Sequence, residues 1–123
     1  YSKSDLEILQ GLETKYPAFV CAHGDTEALL QSCDYVVTQN SGVAFSGYYF
    51  AKPCVLFGRV DFHHITANVH ALGVKDAFAQ VLEIQPDYAG YLWWFLQKMA
   101  INAGRPEAED NIRAALVRAG WPI

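Results

Sequence analysis

The turn Asn40-Ser41-Gly42 is the first place where residue types and their order point to chemistry. It separates a segment of strand type from one of helix type. The start of a helix presents unpaired amides and a partial positive charge, and both attract phosphate. Gly42 would let a phosphate approach the backbone without a Cβ in the way, and the Ser41 hydroxyl could donate to the same oxygen. We therefore predict phosphate binding at Asn40, Ser41 and Gly42. The alternative is that Asn40 or Ser41 only caps the helix.

A second polar group follows the next predicted strand, at Arg59, Asp61, His63 and His64. Arg59 could pair with a phosphate through its planar guanidinium. His63 or His64 could act as an acid or base, or could bond a diphosphate. Since ligands of open parallel sheets bind beyond the carboxyl ends of strands, we predict that this loop borders the same site. A polar loop without a ligand is the alternative.

Metal and nucleotide-cofactor signatures are missing from the sequence. Adjacent histidines do not easily share one metal ion, and no carboxylate–histidine spacing indicates zinc. No Walker loop, GxGxxG motif or serine-hydrolase grouping occurs, which argues against P-loop, dinucleotide-binding and hydrolase functions. We predict no metal and no cofactor.

Apolar segments of strand type alternate with helical patterns through the first half of the chain. A capping-box pattern at Ser4-Asp5-Leu6-Glu7 predicts an opening helix, which Tyr16-Pro17 ends. Strands alternating with helices favour right-handed βαβ crossovers. We therefore predict an α/β fold with a Rossmann-like parallel sheet and flanking helices. The predicted strands are Ala18–Ala22, Tyr35–Thr38 and Cys54–Phe57.

The second half differs in pattern and is expected to form a helical C-terminal segment. Residues 61–70 resist assignment, whereas 87–103 and 107–119 read as helices. We predict one α/β domain over 1–123, with sheet and crossover helices in 1–70 and mostly helix in 71–123. Because the chain starts with Tyr1 and opens almost directly into a helix, it looks like part of a larger protein.

Composition limits the classes of partner. Hydrophobic residues make up 52% and charged residues 18%, so some apolar surface is expected to meet a partner domain or subunit. A net charge of -4 without a basic run argues against nucleic acid. Three apolar-flanked cysteines and the absence of a signal peptide or membrane span indicate the cytoplasm. Peripheral association with the inner membrane and oligomerisation stay open.

One stretch of the chain has a familiar pattern. Cys33-Asp34-Tyr35-Val36-Val37-Thr38-Gln39-Asn40-Ser41 is followed by Ala51-Lys52-Pro53 and then by Val55-Leu56-Phe57-Gly58. This order resembles the donor-binding half of GT-B glycosyltransferases, especially the bacterial capsule polysaccharide biosynthesis family. Its members have a "cD.vvt.nS" strand, a helix of small residues that ends in "gkP", and an apolar strand that ends in Gly.

The resemblance implies a function in bacterial surface polysaccharide synthesis, with a nucleotide sugar as substrate. Asn40, Ser41 and Gly42 would receive its phosphates. Family members often have Glu-Ala in the helix that follows, where this chain has Ser46-Gly47, and that Glu commonly helps to hold the donor sugar or ribose. A glycan acceptor would bind through an N-terminal domain outside this chain, so the chain alone is expected to be inactive. The alternatives are a non-catalytic nucleotide- or phosphate-binding module, a protein-interaction module and an epimerase-type isomerase.

Overall fold

A computed structural model describes residues 2–22 and 24–122 of the chain. His23, in the turn predicted at residues 23–25, lies outside them. Along the chain, the helices and strands are α1 (Lys3–Lys15), α2 (Thr26–Ser32), β1 (Val36–Thr38), α3 (Val43–Tyr48), β2 (Cys54–Leu56), β3 (Ala67–Asn68), α4 (Val69–Leu72), α5 (Val74–Gln80), α6 (Tyr88–Trp94) and α7 (Ala108–Arg118). A 3₁₀ turn spans His63–Ile65, and a π-helical turn, Phe95–Met99, follows α6 directly.

The strands form one parallel sheet in the order β1-β2-β3. Val37 lies beside Val55 in the first pair, and Val55 lies beside Ala67 in the second. The α/β class and the parallel sheet are therefore confirmed, and the strands predicted around Val37 and Val55 are both present. The third strand is not the predicted one, because it comes from the 61–70 region that no pattern assigned.

The strand predicted at Ala18–Ala22 is wrong. This segment lies outside the sheet, and the Val20 side chain is 72% exposed. Its backbone bonds locally instead, with the Phe19 amide donating to the Tyr16 carbonyl (2.8 Å) and the Cys21 amide to the Glu13 carboxylate (2.6 Å). Strand propensity mainly reflects packing on a half-buried sheet surface, which this segment does not reach.

The first helix begins two residues earlier than the predicted capping box implies, because its N-cap is Ser2 and not Ser4. Ser2 accepts a hydrogen bond from the Asp5 amide at 3.2 Å, and the Asp5 carboxylate accepts one from the Ser2 amide at 2.8 Å. Asp5 thus supplies the reciprocal carboxylate that the pattern assigned to Glu7.

The central strand β2 divides the core into two clusters. Side chains alternate between the faces of a strand, so Cys54 and Leu56 face one side and Val55 the other. Cys54 and Leu56 pack with Ala44 and Tyr48 of α3 and with Leu92 of α6, whereas Val55 packs with Ala67, Ala77 and Val81. Helices therefore cover both faces of the sheet, and all three residues of β2 are fully buried.

Tyr48 ties the core to the loop that follows β2. Its ring is 1% exposed, and its hydroxyl donates to the Phe62 carbonyl at 2.8 Å. The ring also lies 5.9 Å from that of Tyr91, centroid to centroid, in an edge-on arrangement. A core side chain of α3 thus fixes both α6 and the loop just ahead of the histidines.

Burial of acidic protons predicts a loss of stability in alkali. Burial raises the pKa of Cys54 to about 12 and also raises the pKa of Tyr48. The folded state therefore holds these protons more tightly than the unfolded state does. The contribution of Cys54 is complete below the ordinary thiol pKa near 9 and is lost as the pH rises from there toward 12. The contribution of Tyr48 is lost as the pH rises above the ordinary tyrosine pKa near 10.

Cys54→Ala should flatten this pH dependence, because it removes one of the two groups, although it should also lower stability at pH 7 by about 1 kcal/mol. Urea unfolding of both proteins at neutral pH and at several values above 9 measures the effect. Parallel pH profiles for the two proteins would show that Cys54 does not contribute.

Ala51 adopts a backbone conformation that suits glycine. Its φ of 52° lies in the left-handed region, which costs an L-residue roughly 1–2 kcal/mol. Ala51→Gly should therefore raise the free energy of unfolding by about 0.5–1 kcal/mol after the entropic cost of glycine. The matched control is Ala114→Gly in α7, where the same change should cost about 1 kcal/mol. A loss at both positions in chemical denaturation would contradict the expectation.

Candidate functional site

A cavity of about 810 Å³ lies beyond the carboxyl end of β2, between the loop that follows this strand and the end of α6. Its volume falls in the range of small-molecule sites, roughly 300–1,000 Å³. One wall is polar and carries Arg59, Asp61, His63 and His64. The rest of the lining is mostly apolar and consists mainly of Trp94, Phe95 and Met99. The π-helical turn after α6 provides part of this apolar lining, and such turns are frequent at functional sites.

Close backbone contacts hold the ends of the three strands together. The Gly58 amide donates to the Gln39 carbonyl at 2.6 Å, and a Cβ at position 58 would lie 2.5 Å from that oxygen. Any side chain there would push the ends of β1 and β2 apart. Asn68, 7% exposed, donates through Nδ2 to the Gly58 carbonyl at 2.9 Å, and its Oδ1 accepts from the His70 amide at 3.0 Å. These contacts therefore hold the start of the loop that carries Arg59 in a fixed position.

His63 has a defined orientation in the 3₁₀ turn. Its amide donates to the Val60 carbonyl at 3.0 Å, and Nδ1 contacts the same carbonyl. A carbonyl can only accept, so Nδ1 carries the hydrogen in this contact. Nε2 of the neutral ring is then left with its lone pair, which suits a proton acceptor. The ring of His64 stacks on that of His63, with centroids 4.3 Å apart.

Tyr91 connects His64 to α6. Nδ1 of His64 lies 3.0 Å from the Tyr91 hydroxyl, which itself donates to the Asp61 carbonyl at 3.4 Å. Burial, and secondarily the charge of Asp61, raises the pKa of Tyr91, so the hydroxyl keeps its proton and can take part in both contacts. The Trp94 ring meets His64 edge-on at 6.0 Å. The aromatic face of α6 thus positions the exposed histidine.

A second cavity, of about 650 Å³, is bordered by some of the same residues. Arg59, His63 and His64 border both cavities, so the two cavities are neighbours that share this part of their lining. The rest of the second lining comes from Thr66, Asn68 and Ala71 and contains no aromatic ring.

The predicted phosphate turn takes part in neither cavity. Ser41 accepts through Oγ from the Val43 amide at 3.3 Å and through its carbonyl from the Ala44 amide at 3.2 Å. The Ser41 amide donates to the Thr38 hydroxyl at 3.1 Å. The Ser41, Val43 and Ala44 amides therefore have partners within the turn, and the Ser41 hydroxyl caps the first turn of α3, a helix of six residues.

Ser46 is also separate from the histidine cavity. It borders a different, open depression of about 550 Å³ between α2 and α3, together with Asp25, Glu27 and Tyr49. Of the predicted residues, the structure therefore brings together Arg59, His63 and His64 but leaves Asn40, Ser41, Gly42 and Ser46 outside their cavity.

The contribution of α6 to the site is not evident from the sequence. Aromatic residues three apart on a helix usually mark a core face, so the spacing of Tyr91 and Trp94 indicates only packing. Thr66 and Asn68 fall in the unassigned region and carry no signal. An Asn directly before a short helix indicates a cap, and Asn68 does cap α4, but nothing local places it beside Gly58.

Two kinds of feature are absent from the described part of the chain. Within 2–22 and 24–122, no three His, Cys, Asp or Glu side chains converge as metal ligands would. No helix in those same ranges combines the length and the apolar character needed to cross a bilayer.

Comparisons with protein-family models, with curated proteins and with solved structures found no match to this chain. The geometry of the cavity and the motif resemblance are therefore the two indications of what the chain can bind.

The cap geometry at Ser41 predicts the effect of Ser41→Ala. Loss of the hydroxyl should reduce the free energy of unfolding by about 1 kcal/mol and leave the affinity for a phosphate-bearing ligand unchanged. Thermal denaturation and a nucleotide titration of the variant measure the two effects separately. A large drop in affinity at unchanged stability would instead show that the phosphate binds at this turn.

Proposed function

We propose that this chain is the nucleotide-sugar-binding domain of a glycosyltransferase, the donor half of a GT-B fold, and that it serves in bacterial surface polysaccharide synthesis. The observation that carries the proposal is the cavity at the carboxyl end of β2, which Arg59, the His63–His64 pair and the aromatic residues at the end of α6 border together. The motif resemblance supplies the donor class, and a second domain would bind the glycan acceptor.

The lining suits a ligand with one flat apolar end and one anionic end. A base can pack against Trp94 and Phe95, which border the same cavity as Arg59. The Arg59 guanidinium can pair with a phosphate through two parallel hydrogen bonds. Asp61 limits the excess of positive charge, which favours a ligand of low charge over a polyanion.

The same groups could support transfer. An acceptor hydroxyl would attack the anomeric carbon and form a new C–O bond while the bond from that carbon to the phosphate oxygen breaks. The departing nucleotide keeps the bonding electron pair, and Arg59 would stabilise the charge that grows on its phosphate. The hydroxyl proton would pass to Nε2 of His63, whose Nδ1 is committed to the Val60 carbonyl.

Two backbone features support the motif resemblance. The family pattern has glycine where Ala51 stands, and Ala51 takes the left-handed conformation that glycine adopts most easily. The pattern also ends its apolar strand in glycine, and Gly58 occupies a position where a Cβ would meet the Gln39 carbonyl. Each feature gives a physical reason for a residue type in the pattern.

A non-catalytic binding module is the second candidate. It is favoured by Ser46, which replaces the donor-holding Glu of the family pattern and lies in a different depression from Arg59. Such a module would bind the same nucleotide in the same cavity but would show no turnover even when joined to its acceptor domain.

The proposal is tested by a two-dimensional NMR titration of the ¹⁵N-labelled chain with CMP, UDP and GDP and then with their sugar conjugates. One nucleotide should shift the amides of Arg59, His63 and His64 and the indole N–H of Trp94, because these residues border the cavity. The indole of Trp121 serves as an internal reference for non-specific effects. No shift in these signals with any nucleotide at millimolar concentration would refute the proposal.

Arg59→Gln separates the charge-assisted contact from other effects. A hydrogen bond to a charged group contributes roughly 1.5–3 kcal/mol. The substitution should therefore lower the affinity for the nucleotide that shifts the NMR signals by about 10- to 100-fold. Arg113→Gln in α7 is the matched control, since Arg113 is exposed, lies far along the chain from the cavity lining and forms an ion pair with Glu109 at 3.7 Å. Equal affinities for the two variants would remove Arg59 from the site.

A further inference from the structure

The two cavities that His63 and His64 both border differ in chemistry. The larger one has an aromatic wall, whereas the other is bordered by a hydroxyl, an amide and a methyl group from Thr66, Asn68 and Ala71. A nucleotide sugar has the same asymmetry, with a flat base at one end and a polyhydroxylated ring at the other. The phosphate between them is the only charged part of many such molecules.

We infer that the donor spans the two cavities, with its nucleoside in the aromatic cavity and its sugar in the cavity bordered by Thr66. The inference rests on the proposed function and extends it by placing the sugar and naming the residue that recognises it. Arg59 borders both cavities and would hold the phosphate at the boundary. The bond between sugar and phosphate would then lie beside the stacked imidazoles.

We assign recognition of the sugar to Thr66 because its hydroxyl oxygen can accept a further hydrogen bond. The half-buried hydroxyl donates its single hydrogen to the His63 carbonyl at 2.8 Å, which fixes the direction of its lone pairs. A hydroxyl oxygen can accept while it donates, so a sugar hydroxyl can bond to it. Asn68 contributes less, since Nδ2 and Oδ1 are engaged with the Gly58 carbonyl and the His70 amide.

Thr66→Val tests the placement because it removes the hydroxyl and keeps the shape. Dissociation constants are measured for each free nucleotide and its conjugate, using UDP with UDP-glucose, CMP with CMP-N-acetylneuraminic acid and GDP with GDP-mannose. The valine variant should bind the responding conjugate about fivefold more weakly and the free nucleotide as well as the wild type does. Thr66→Ser keeps the hydroxyl and should retain the affinity for the conjugate.

Trp94→Leu provides the opposite arm of the test. It should lower the affinity for the free nucleotide and the affinity for the conjugate by the same factor, because both ligands place their base against Trp94. Equal losses for both ligands in Thr66→Val, or no loss for either, would overturn the sugar placement while the nucleotide site stands. Failure of every nucleotide to bind the wild-type chain would overturn the site and the placement together.

Discussion

The close approach of two strand ends at Gly58 is the constraint on which the candidate site depends. The 2.6 Å hydrogen bond from the Gly58 amide to the Gln39 carbonyl is possible only without a side chain at position 58. Asn68 then ties β3 to the same residue through the Gly58 carbonyl. The polar loop begins one residue later, at Arg59. Its direction is therefore set by backbone contacts in the sheet rather than by the loop's own residues.

Tyr48 holds the far end of the polar loop, as the contacts at Gly58 hold its beginning. It is buried in the cluster of α3, β2 and α6, and its hydroxyl holds the Phe62 carbonyl immediately before the histidines. Its ring also meets Tyr91, which in turn contacts His64. The histidine pair is thus held from the loop side by one tyrosine and from the helix side by another. Such support from the core is what a binding site needs if its side chains are to keep their geometry.

Much of the fold could be predicted from local pattern, because β1, α3 and β2 form a short βαβ unit with strong apolar strands. The site was only partly predictable. Arg59, His63 and His64 follow a buried strand directly, so sheet topology alone brings them to one edge. Tyr91 and Trp94 lie about thirty residues further along the chain, and their contact with His64 depends on how α6 packs on α3. No local spacing encodes that contact.

The two main errors have a common physical origin. Ala18–Ala22 has the composition of a strand but makes no ladder with the sheet, whereas Ala67–Asn68 has little strand propensity and is fully paired. In both cases the available neighbours, rather than the residues themselves, decide the conformation. At the helix start near Ser41, the Val43 amide donates to the Ser41 hydroxyl, which is the capping contact predicted from the sequence as the alternative to phosphate binding.

The double role of α6 has a thermodynamic consequence. Leu92 fills the core cluster, while Trp94, two residues later, borders the candidate cavity. A molecule that binds there would be linked to the folding equilibrium of the whole domain, since it would occupy a surface that exists only when α6 is docked. Saturation at a hundred times the dissociation constant would add about 2.7 kcal/mol to the stability of the native state. The melting temperature of this small domain can therefore report occupancy without any knowledge of a reaction.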